Sequence, residues 1–276
     1  MKLLTLNTHS WLEIHQVSKI YELAQFIVQQ KIDAVALQEV NQFIHSPILE
    51  HPLGYAGGAD RPVRQDNFAL LLNQFLAELD RPYHWAWAVS HLGFERYDEG
   101  VALLTRAPMQ RLECIDVSPT YTDQDVARRV VIAAKLGAEH GGLWVTSAHM
   151  SWWEVEGASL FAQEFEILNR SLRELAGSET VLLAGDFNNA AEVTDEGYAL
   201  MRSLGWHDTY LTASQIQGEH TVHKAIHGWT NFTQALRIDL VLANQPLDVA
   251  QHSVVFPDTS DQAISDHSGL LLTLNL

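Results

Sequence analysis

The sequence predicts a single α/β domain in which two packed β-sheets are flanked by helices. Apolar runs of strand length are distributed from one end of the 276 residues to the other, and stretches of helical periodicity lie between them. No linker, charge run, low-complexity tract or internal repeat divides the chain. Since 47% of the residues are hydrophobic, residues 1–276 can bury a core large enough for one domain.

The spacing of apolar residues assigns the individual strands and helices. Continuous or alternating apolar runs predict strands at 2–7, 34–37, 83–90, 100–105, 112–117, 129–136, 142–148, 181–184, 237–243, 252–256 and 269–275. Apolar residues three and four positions apart predict helices at 13–30, 67–79, 154–176 and 196–204. Two segments, 45–65 and 91–99, have a polar or turn-rich composition and are predicted to be loops that influence substrate choice.

The composition restricts the location of the protein and its partners. The formal net charge is −17, from 34 acids and 17 bases, and the sequence has no Lys/Arg stripe, which disfavours a nucleic acid partner. Cys114 is the only cysteine, so the chain has no intramolecular disulfide and suits a reducing compartment. The first apolar run ends at Asn7, too early for an export signal, and none reaches membrane-spanning length. We expect a cytoplasmic protein without a membrane partner; its oligomeric state is open.

The segment 181–190, VLLAGDFNNA, combines an apolar run with a polar tip. Asp186 and Asn188 follow a run that fits a buried strand, so their side chains are expected on a rigid support at the end of that strand. A carboxylate beside an amide suits a metal ion and a phosphate oxygen. A strand followed by an Asx-type turn would explain this segment equally well on its own. The functional interpretation therefore depends on other segments of the same kind.

Polar side chains stand at the end or the start of several other apolar runs. They are Asn7, Glu39, Glu99, His149, Asp239, Asp266 and His267. Strand ends are where sites are built in sheets, and several buried acids in one place require a cation. Ligation by oxygen atoms favours Mg²⁺ or Mn²⁺ over zinc. The two histidines can move a proton near neutral pH or donate a hydrogen bond to a phosphoryl oxygen.

Seven segments in a fixed order resemble the signatures of the endonuclease/exonuclease/phosphatase superfamily, which includes DNase I. They read LNTHS, LQEV, EGVALLTR, SAHMS, GDFN, RIDLVL and SDHSG, and among them GDFN and SDH are the specific ones. The resemblance implies a DNase I-like four-layer αββα sandwich, with two packed mixed β-sheets flanked by helices. It also implies a site at one edge of the two sheets, where water attacks a phosphate ester in line.

The resemblance implies roles for the residues that match these motifs. Glu39 would be the principal ligand of a Mg²⁺ or Mn²⁺ ion, with Asn7 beside it and Asp266 completing the metal site. The catalytic group would comprise His149, Asp186, Asn188, Asp239 and His267. In that group, Asp186 and Asn188 would orient the attacking water and the phosphoryl group. His267, held by Asp239, would act as a base or as a donor to a phosphate oxygen, and His149 would bind the phosphate.

The family branch is indicated by more local features. His149 argues against abasic-site endonucleases, in which a segment containing tyrosine usually stands at this place. The opening LNTHSW, followed by Glu13, and the later segment from Gly228 and Trp229 to RID resemble the bacterial maltose 6'-phosphate phosphatase branch. Substrate contacts are then expected from His9, Trp11, Glu99, Trp152 and Trp229, with Glu99 also as the orienting partner of His149 and the tryptophans stacking on sugar rings.

The expected function is hydrolysis of a phosphate ester by a divalent-metal-dependent enzyme. Its expected substrate is a small sugar phosphate, similar to maltose 6'-phosphate. A phosphodiesterase of the same fold, acting on nucleic acid or on a phospholipid headgroup as sphingomyelinases do, is the first alternative. The second is a non-catalytic scaffold, which the set of acids and histidines disfavours because an idle site has no reason to keep unpaired acids.

Overall fold

The computed structural model describes residues 1–58, 60–137, 141–155, 157–224 and 234–275. Within them, two mixed β-sheets pack face to face and helices cover their outer faces, so the predicted four-layer α/β sandwich is confirmed. Among these residues, no helix has both the length and the apolar character needed to span a bilayer. That residues 1–276 form one domain stays a prediction.

The strands and helices follow the predicted order with four additions. The strands are β1 Lys2–Asn7, β2 Ala34–Phe43, β3 Tyr55–Gly57, β4 His84–Gly93, β5 Tyr97–Thr105, β6 Arg111–Asp116, β7 Val130–Lys135, β8 Trp144–His149, β9 Val181–Asp186, β10 His207–Asp208, β11 Gln215–Gln217, β12 Asp239–Ala243, β13 Val249–Val255 and β14 Gly269–Leu274. The helices are α1 Gln16–Gln30, α2 Phe68–Glu78, α3 Leu160–Ala176, α4 Gly197–Ser203 and α5 Thr209–Thr212. The short elements β3, β10, β11 and α5 were not predicted, because two to four residues carry too little periodicity.

The two sheets bring distant parts of the chain together. The larger sheet has the order β11-β13-β14-β1-β2-β5-β4-β3, and the smaller has the order β10-β12-β9-β8-β7-β6. The central pair of each sheet is parallel: β1 with β2, and β8 with β9. Because the carboxyl ends of parallel neighbours meet at the same edge, each sheet presents two strand ends side by side.

Three apolar layers hold these elements together. Small and branched side chains from the facing sides of both sheets, such as Leu3, Ala36 and Leu182, fill the space between them. The other face of the larger sheet packs on α1 and α2, through residues that include Ile20. The outer face of the smaller sheet packs on α3, through residues that include Phe165. The two sheets are therefore held as one packed unit, which fixes the relation between their edges.

The helix predicted from 154 begins only at Leu160, and two further predicted boundaries that are wrong concern the cleft described below. The strand predicted to end near Leu37 continues to Phe43, because a β-bulge between Leu37 and Val40 absorbs the polar pair between them. The segment 91–99, predicted to be a loop, consists of the paired ends of β4 and β5 and a three-residue turn. In both cases buried polar side chains made a strand look like a loop.

Gly185 is required by the close approach of β8 to β9 at this edge. It has φ +152°, and a Cβ added there would lie 1.9 Å from the carbonyl oxygen of Ala148. Its neighbour Asp186 pairs in register with His149 on β8 and with Asp239 on β12. The absence of a side chain at position 185 therefore lets three polar strand ends come together.

We expect Gly185→Ala to lower the free energy of unfolding by about 2–4 kcal/mol, since the new methyl group would collide with backbone that cannot yield. Urea unfolding monitored by tryptophan fluorescence measures this loss. Gly205→Ala is the matched control, because Gly205 follows the end of α4 with φ +89° and the nearest atom to an added Cβ, Nη2 of Arg173, would lie 4.0 Å away. It should cost only about 1 kcal/mol, the price of a left-handed alanine. Equal losses at the two positions would contradict the steric explanation.

Candidate active site

A cleft of about 630 Å³ opens at the edge where the polar strand ends of both sheets meet. Most of the residues predicted to form the site line it. The full lining is His9, Leu12, Glu39, His91, Leu92, Gly93, Phe94, Glu95, Glu99, Gln124, Val126, Arg129, His149, Trp152, Asp186, Asn188, Asp266 and His267. The volume lies in the range typical of small-molecule sites, and the lining combines titratable groups with an apolar rim.

Asn7, at the end of β1, joins the carboxylates of the two sheets. Its Nδ2 donates to Oε1 of Glu39 at 2.9 Å and to Oδ2 of Asp186 at 3.0 Å. Its Oδ1 accepts a hydrogen bond from the backbone N–H of His9 at 3.1 Å. The amide of Asn7 is fully buried, so these bonds are protected from water. Asn7 therefore fixes the distance between an acid of the larger sheet and an acid of the smaller one.

Glu39 occupies the bulge in β2 with a left-handed backbone, φ 53°. The bulge directs its carboxylate toward the cleft, where the residue is half-buried. Burial, together with the negative charges of Glu99 and Asp266, raises the pKa of Glu39 to about 7, although the hydrogen bond from Asn7 works in the opposite direction. Several acids thus compete for ionisation in one cleft, which is the condition that a bound cation relieves.

His267 and Asp239 form a buried pair across the two sheets. Nδ1 of His267 lies 2.9 Å from Oδ2 of Asp239, while Oδ1 of Asp239 has no hydrogen-bond partner in the described part of the chain. Burial opposes protonation of His267, but the carboxylates of Asp239 and Asp186 outweigh it and raise its pKa well above the ordinary value. His267 is therefore an imidazolium at neutral pH, with its Nε2–H available to the cleft.

Asp186 and Asn188 form the turn that follows β9. The backbone N–H of Asn188 donates to Oδ1 of Asp186 at 2.9 Å, and Asn188 has a left-handed backbone, φ 48°. The Asx-type turn considered from the sequence is thus present, and it serves to orient the carboxylate. Burial and the charge of Asp239 raise the pKa of Asp186 to about 6, against the opposing effect of His267.

His149, at the end of β8, differs from His267 in its charge. Its Nε2 lies 3.2 Å from Nδ2 of Asn188, whose amide also donates to the carbonyl of Met150 at 3.0 Å. Burial first, and then the positive charges of Arg129 and other neighbours, hold the pKa of His149 well below its usual value. His149 is therefore a neutral imidazole at physiological pH.

The two histidines converge on one carboxylate oxygen. Oδ2 of Asp186 lies 3.8 Å from Nε2 of His149 and 3.9 Å from Nε2 of His267. An oxygen that also accepts from Asn7 is thereby flanked by one neutral and one charged imidazole. Groups whose pKa values are driven apart in this way are typical of acid–base sites.

A second group of titratable side chains lies at the other wall of the cleft. Nδ1 of His9 lies 2.8 Å from Oε1 of Glu13 and 3.7 Å from Oδ1 of Asp266. Lys19 donates from its Nζ to Oε2 of Glu13 at 2.7 Å. His9 thus enters the cleft from a 3-10 turn at Ser10–Leu12, and the Glu13–Lys19 ion pair fixes the orientation of its ring.

The donor groups fit a divalent cation. Two sets of side chains in the described residues bring their ligand atoms within 4.8 Å of one another: His9, Glu13 and Asp266, and Asp186, Asp239 and His267. Glu39, whose carboxylate competes with Glu99 and Asp266 for ionisation, lines the same cleft. A set of carboxylates with few nitrogen atoms is the donor chemistry of Mg²⁺ and Mn²⁺ rather than of zinc. Glu39 and Asp266 are the side chains that would hold the ion.

The structure brings most of the predicted site residues together but not all of them. Asn7 and Asp239 lie beneath the cleft surface and contact residues that line it. Trp11 does not line the cleft: its Nε1 donates to the carbonyl of Asp66 at 3.0 Å, and its ring packs on the core beneath α1 and α2. Trp152 lines the cleft, whereas Trp229 is outside the described residues.

The predicted partner of Glu99 is wrong. Oε1 of Glu99 lies 3.3 Å from Nε2 of His91, the residue next to it across the β4–β5 pair, whereas Nε2 of His149 contacts Asn188. This pairing depends on the register of β4 and β5. The register could not be predicted, because segment 91–99 has the composition of a loop.

Sequence reasoning also missed His91 and Arg129. His91 was placed in a loop, and Arg129 stands at the start of an apolar run, where a cation is ordinary. Both are buried, and both line the cleft. The two residues meet where the end of β4 in the larger sheet packs on the start of β7 in the smaller sheet, with Nη1 of Arg129 3.5 Å from Nδ1 of His91. The spacing of residues in the sequence carries no signal for such a contact between sheets.

A cleft of paired carboxylates and histidines at the shared edge of two packed sheets defines a hydrolase of phosphoric ester bonds. The sequence matches the Endonuclease/Exonuclease/phosphatase family over residues 19–267. The chain therefore belongs to this family, as the motifs predicted, and enzymes of the family use divalent metal ions. No curated protein matches the sequence.

Solved structures support the same fold. An endonuclease/exonuclease/phosphatase family protein from Leptotrichia buccalis C-1013-b is 31% identical, with a TM-score of 0.86 and complete coverage of both chains. A mannosyl-6-phosphatase from Bacteroides thetaiotaomicron VPI-5482 is 15% identical, with a TM-score of 0.69 and complete coverage of both chains. A 3′ phosphatase from Neisseria, bound to a product DNA hairpin, is 17% identical, with a TM-score of 0.66 and the same coverage. At these two lower identities the likeness concerns the fold alone.

We expect the stability of the metal-free protein to depend on pH through Glu39. Its pKa is raised from 4.5 to about 7 in the folded chain, so protonation favours the folded state. Metal-free protein should therefore lose stability as the pH rises from about 4.5 to about 7. A divalent ion needs the ionised carboxylate, so its stabilising effect should grow over the same interval. Thermal unfolding at several pH values, with and without saturating Mg²⁺, measures both effects.

Glu39→Gln is the control for this titration, because an amide of the same shape does not ionise. Its unfolding temperature should depend less on pH between about 4.5 and 7, and Mg²⁺ should stabilise it less than it stabilises the unaltered protein. A rise in unfolding temperature on adding Mg²⁺ that is as large near pH 5 as near pH 8 would contradict the assignment of Glu39 as a metal ligand.

Proposed function

We propose that the protein is a Mg²⁺- or Mn²⁺-dependent phosphomonoesterase that acts on a small sugar phosphate. The observation that carries this proposal is the chemistry of the cleft lining. Five carboxylate side chains stand against one arginine among the lining residues, in a chain whose net charge is −17. A groove that follows a nucleic acid backbone needs several lysines or arginines along its course. The lining of this cleft supports a compact substrate with its phosphate at the centre.

The rim of the cleft offers apolar surface to the remainder of such a substrate. Leu12, Leu92, Phe94, Val126 and Trp152 line it, and Phe94 and Val126 are largely exposed. Aromatic and aliphatic side chains pack on the apolar faces of sugar rings, while the acids nearby can accept hydrogen bonds from hydroxyl groups. A volume of about 630 Å³ has room for more than a phosphate ion. A mannosyl-6-phosphatase among the similar folds, at 15% identity, is consistent with this substrate class.

The geometry suggests a division of labour for hydrolysis. Asp186, with a pKa of about 6, is ionised at neutral pH yet basic enough to accept a proton from an attacking water. The imidazolium of His267 can donate from Nε2 to a phosphoryl oxygen, where negative charge accumulates in the transition state. Of the two roles that the sequence left open for His267, donor is therefore favoured over base. Asn188, which is held by Asp186 and contacts His149, orients the phosphoryl group.

A divalent cation, when bound, supplies charge neutralisation at the phosphoryl oxygens. Glu39 and Asp266 would hold it, and Asn7 would keep the carboxylate of Glu39 in position. The ligand atoms of these side chains are carboxylate oxygens, which small, hard cations prefer, and this supports Mg²⁺ or Mn²⁺. The proposed partner is thus a small phosphorylated molecule, with nucleic acid and membrane as disfavoured alternatives. The single cysteine supports a cytoplasmic location within the same proposal.

Phosphate release from a panel of substrates tests this function. With Mg²⁺ or Mn²⁺, we expect inorganic phosphate from sugar phosphates such as maltose 6'-phosphate or mannose 6-phosphate, and none after addition of EDTA. Supercoiled plasmid DNA and sphingomyelin vesicles are the comparison substrates for the diesterase alternative. Nicking of DNA or cleavage of sphingomyelin without phosphate release from any sugar phosphate would overturn the proposal in favour of a phosphodiesterase.

Substitution of the two central groups tests the proposed mechanism. Asp186→Asn removes the base and His267→Gln removes the charged donor, and each should lower kcat by about 10²- to 10⁴-fold with the fold intact. Steady-state kinetics on the best substrate, with circular dichroism as the folding check, measures this loss. His207→Gln is the control histidine variant, since β10 pairs with the far end of β12. Near-normal kcat in both active-site variants would exclude the assigned roles.

A further inference from the structure

We propose that Arg129 recognises the second negative charge of a terminal phosphoryl group, so that the cleft prefers phosphomonoester dianions to phosphodiester monoanions. This inference rests on the proposed function and deepens it, because it names the residue that would make the enzyme a monoesterase. It concerns a side chain that lies outside the carboxylates and histidines to which a role is assigned above.

Arg129 lines the cleft although its side chain is almost completely buried. The residue is 4% exposed, and Nε of its guanidinium has no hydrogen-bond partner in the described residues. The one hydrogen-bonding contact of the guanidinium among them is long, with Nη1 3.5 Å from Nδ1 of His91. A guanidinium offers five N–H donors in a planar fork. Most of the hydrogen-bonding capacity of Arg129 is therefore unused by the protein.

A buried guanidinium is unfavourable unless a counter-ion lies close to it. The charge of Arg129 acts to lower the pKa of both Glu99 and Glu164, but neither carboxylate comes within ion-pair distance of it. No carboxylate among the described residues forms an ion pair with Arg129. Glu164 is committed to the backbone N–H and the hydroxyl of Ser151, at 3.0 and 2.7 Å, and burial raises its pKa in spite of the charge of Arg129. Because desolvating an unpaired cation is costly, an anion that enters the cleft would relieve this cost.

The position of Arg129 relates it to the reacting phosphoryl group. Arg129 and His149 line the same cleft, and the positive charge of Arg129, after burial, helps to hold the pKa of His149 below its usual value. Nε2 of His149 is 3.8 Å from Oδ2 of Asp186, the oxygen assigned to the attacking water. Arg129 lines the same cleft as these two side chains, so phosphoryl oxygens bound there can also contact its guanidinium.

His91 and Glu99 hold the guanidinium in this place. Nδ1 of His91 lies 3.4 Å from the carbonyl oxygen of Arg128 and 3.5 Å from Nη1 of Arg129, and Nε2 lies 3.3 Å from Oε1 of Glu99. In the tautomer in which Nε2 carries the proton and donates to Glu99, Nδ1 can accept from Arg129. His91 and Glu99 are both buried, and they come from the paired ends of β4 and β5. A rigid hairpin therefore orients the fork of Arg129 while leaving its remaining donors to a ligand.

The charge of the ligand decides whether a monoester or a diester binds more tightly to this arrangement. A terminal phosphoryl group carries a charge of about −1.5 to −2 at pH 7 and has three oxygens free to accept hydrogen bonds. A diester keeps a single charge and two such oxygens. A monoester can therefore contact the cation and the histidines through some of its oxygens and still offer a charged oxygen to Arg129. A diester would leave the guanidinium incompletely paired.

Binding of small phosphate probes tests the assignment without turnover. Calorimetry in the presence of Mg²⁺ compares inorganic phosphate with dimethyl phosphate, a monoanion, for the unaltered protein and for Arg129→Gln. We expect the substitution to weaken phosphate binding by about 10- to 100-fold, as for the loss of a charge-assisted hydrogen bond, and dimethyl phosphate binding by less than about 3-fold. Equal losses for the two probes, or no loss for phosphate, would overturn the inference.

Two further variants separate recognition from a structural role. Arg128→Gln is the matched control: its guanidinium donates to the carbonyls of Val89 and Ser90 and to Asp116, and it does not line the cleft, so the phosphate affinity should stay within about 2-fold. Arg129→Lys keeps the charge and loses the fork, and it should bind phosphate with intermediate affinity. It also supplies a folded variant if Arg129→Gln does not fold.

The double variant Arg129→Gln/Glu164→Gln addresses the remaining structural explanation. If Arg129 served only to balance the charge of Glu164, neutralising both side chains would restore the thermal stability and the phosphate affinity together. We expect the phosphate affinity to stay low. Failure of these tests is distinct from failure of the proposed function, since an enzyme that releases phosphate from sugar phosphates but loses nothing in Arg129→Gln would keep the function and lose the inference.

Discussion

The hydrogen bonds of the Asn7 amide are the interaction on which the site depends. The buried amide nitrogen of Asn7 donates both to Glu39 of the larger sheet and to Asp186 of the smaller sheet, so a single nitrogen atom separates the two carboxylates. Two carboxylates at that separation repel each other, and the donors of Asn7 offset part of that repulsion. The packed apolar layer between the sheets provides the rigidity that makes so close an approach reproducible.

The close packing of acidic side chains determines the protonation states of the titratable groups beside them. The same burial that raises the pKa of Asp186 to about 6 acts on His149 and His267, yet the two imidazoles end in opposite states. Asp239 decides the difference, because it contacts His267, whereas His149 has cations as neighbours. A single edge of two sheets thereby holds a carboxylate with a raised pKa, an imidazolium and a neutral imidazole within a few ångströms, without any residue that is chemically unusual.

Most of the fold and the centre of the site could be predicted from the sequence. Apolar runs located eleven of the fourteen described strands, since strand length and burial leave a direct mark on composition. The motif GDFN and the terminal SDH identified residues that line the cleft. What stayed hidden depends on register and on bulges: the bulge at Glu39, the pairing of Glu99 with His91, and the entry of Arg129 into the cleft. Trp11 differs in another way: it was expected to contact the substrate because it follows a site motif, but its side chain packs against the core.

The left-handed backbone at Glu39 and Asn188 has a consequence for engineering. Both residues adopt φ values near 50°, which glycine accepts without strain and which a glutamate in particular resists. With the roles proposed for Glu39 and Asn188, heat resistance and turnover therefore favour different residues at these two positions. A directed-evolution campaign that scored thermal tolerance alone would be drawn toward glycine there, and it would arrive at a sturdier protein with an inert cleft.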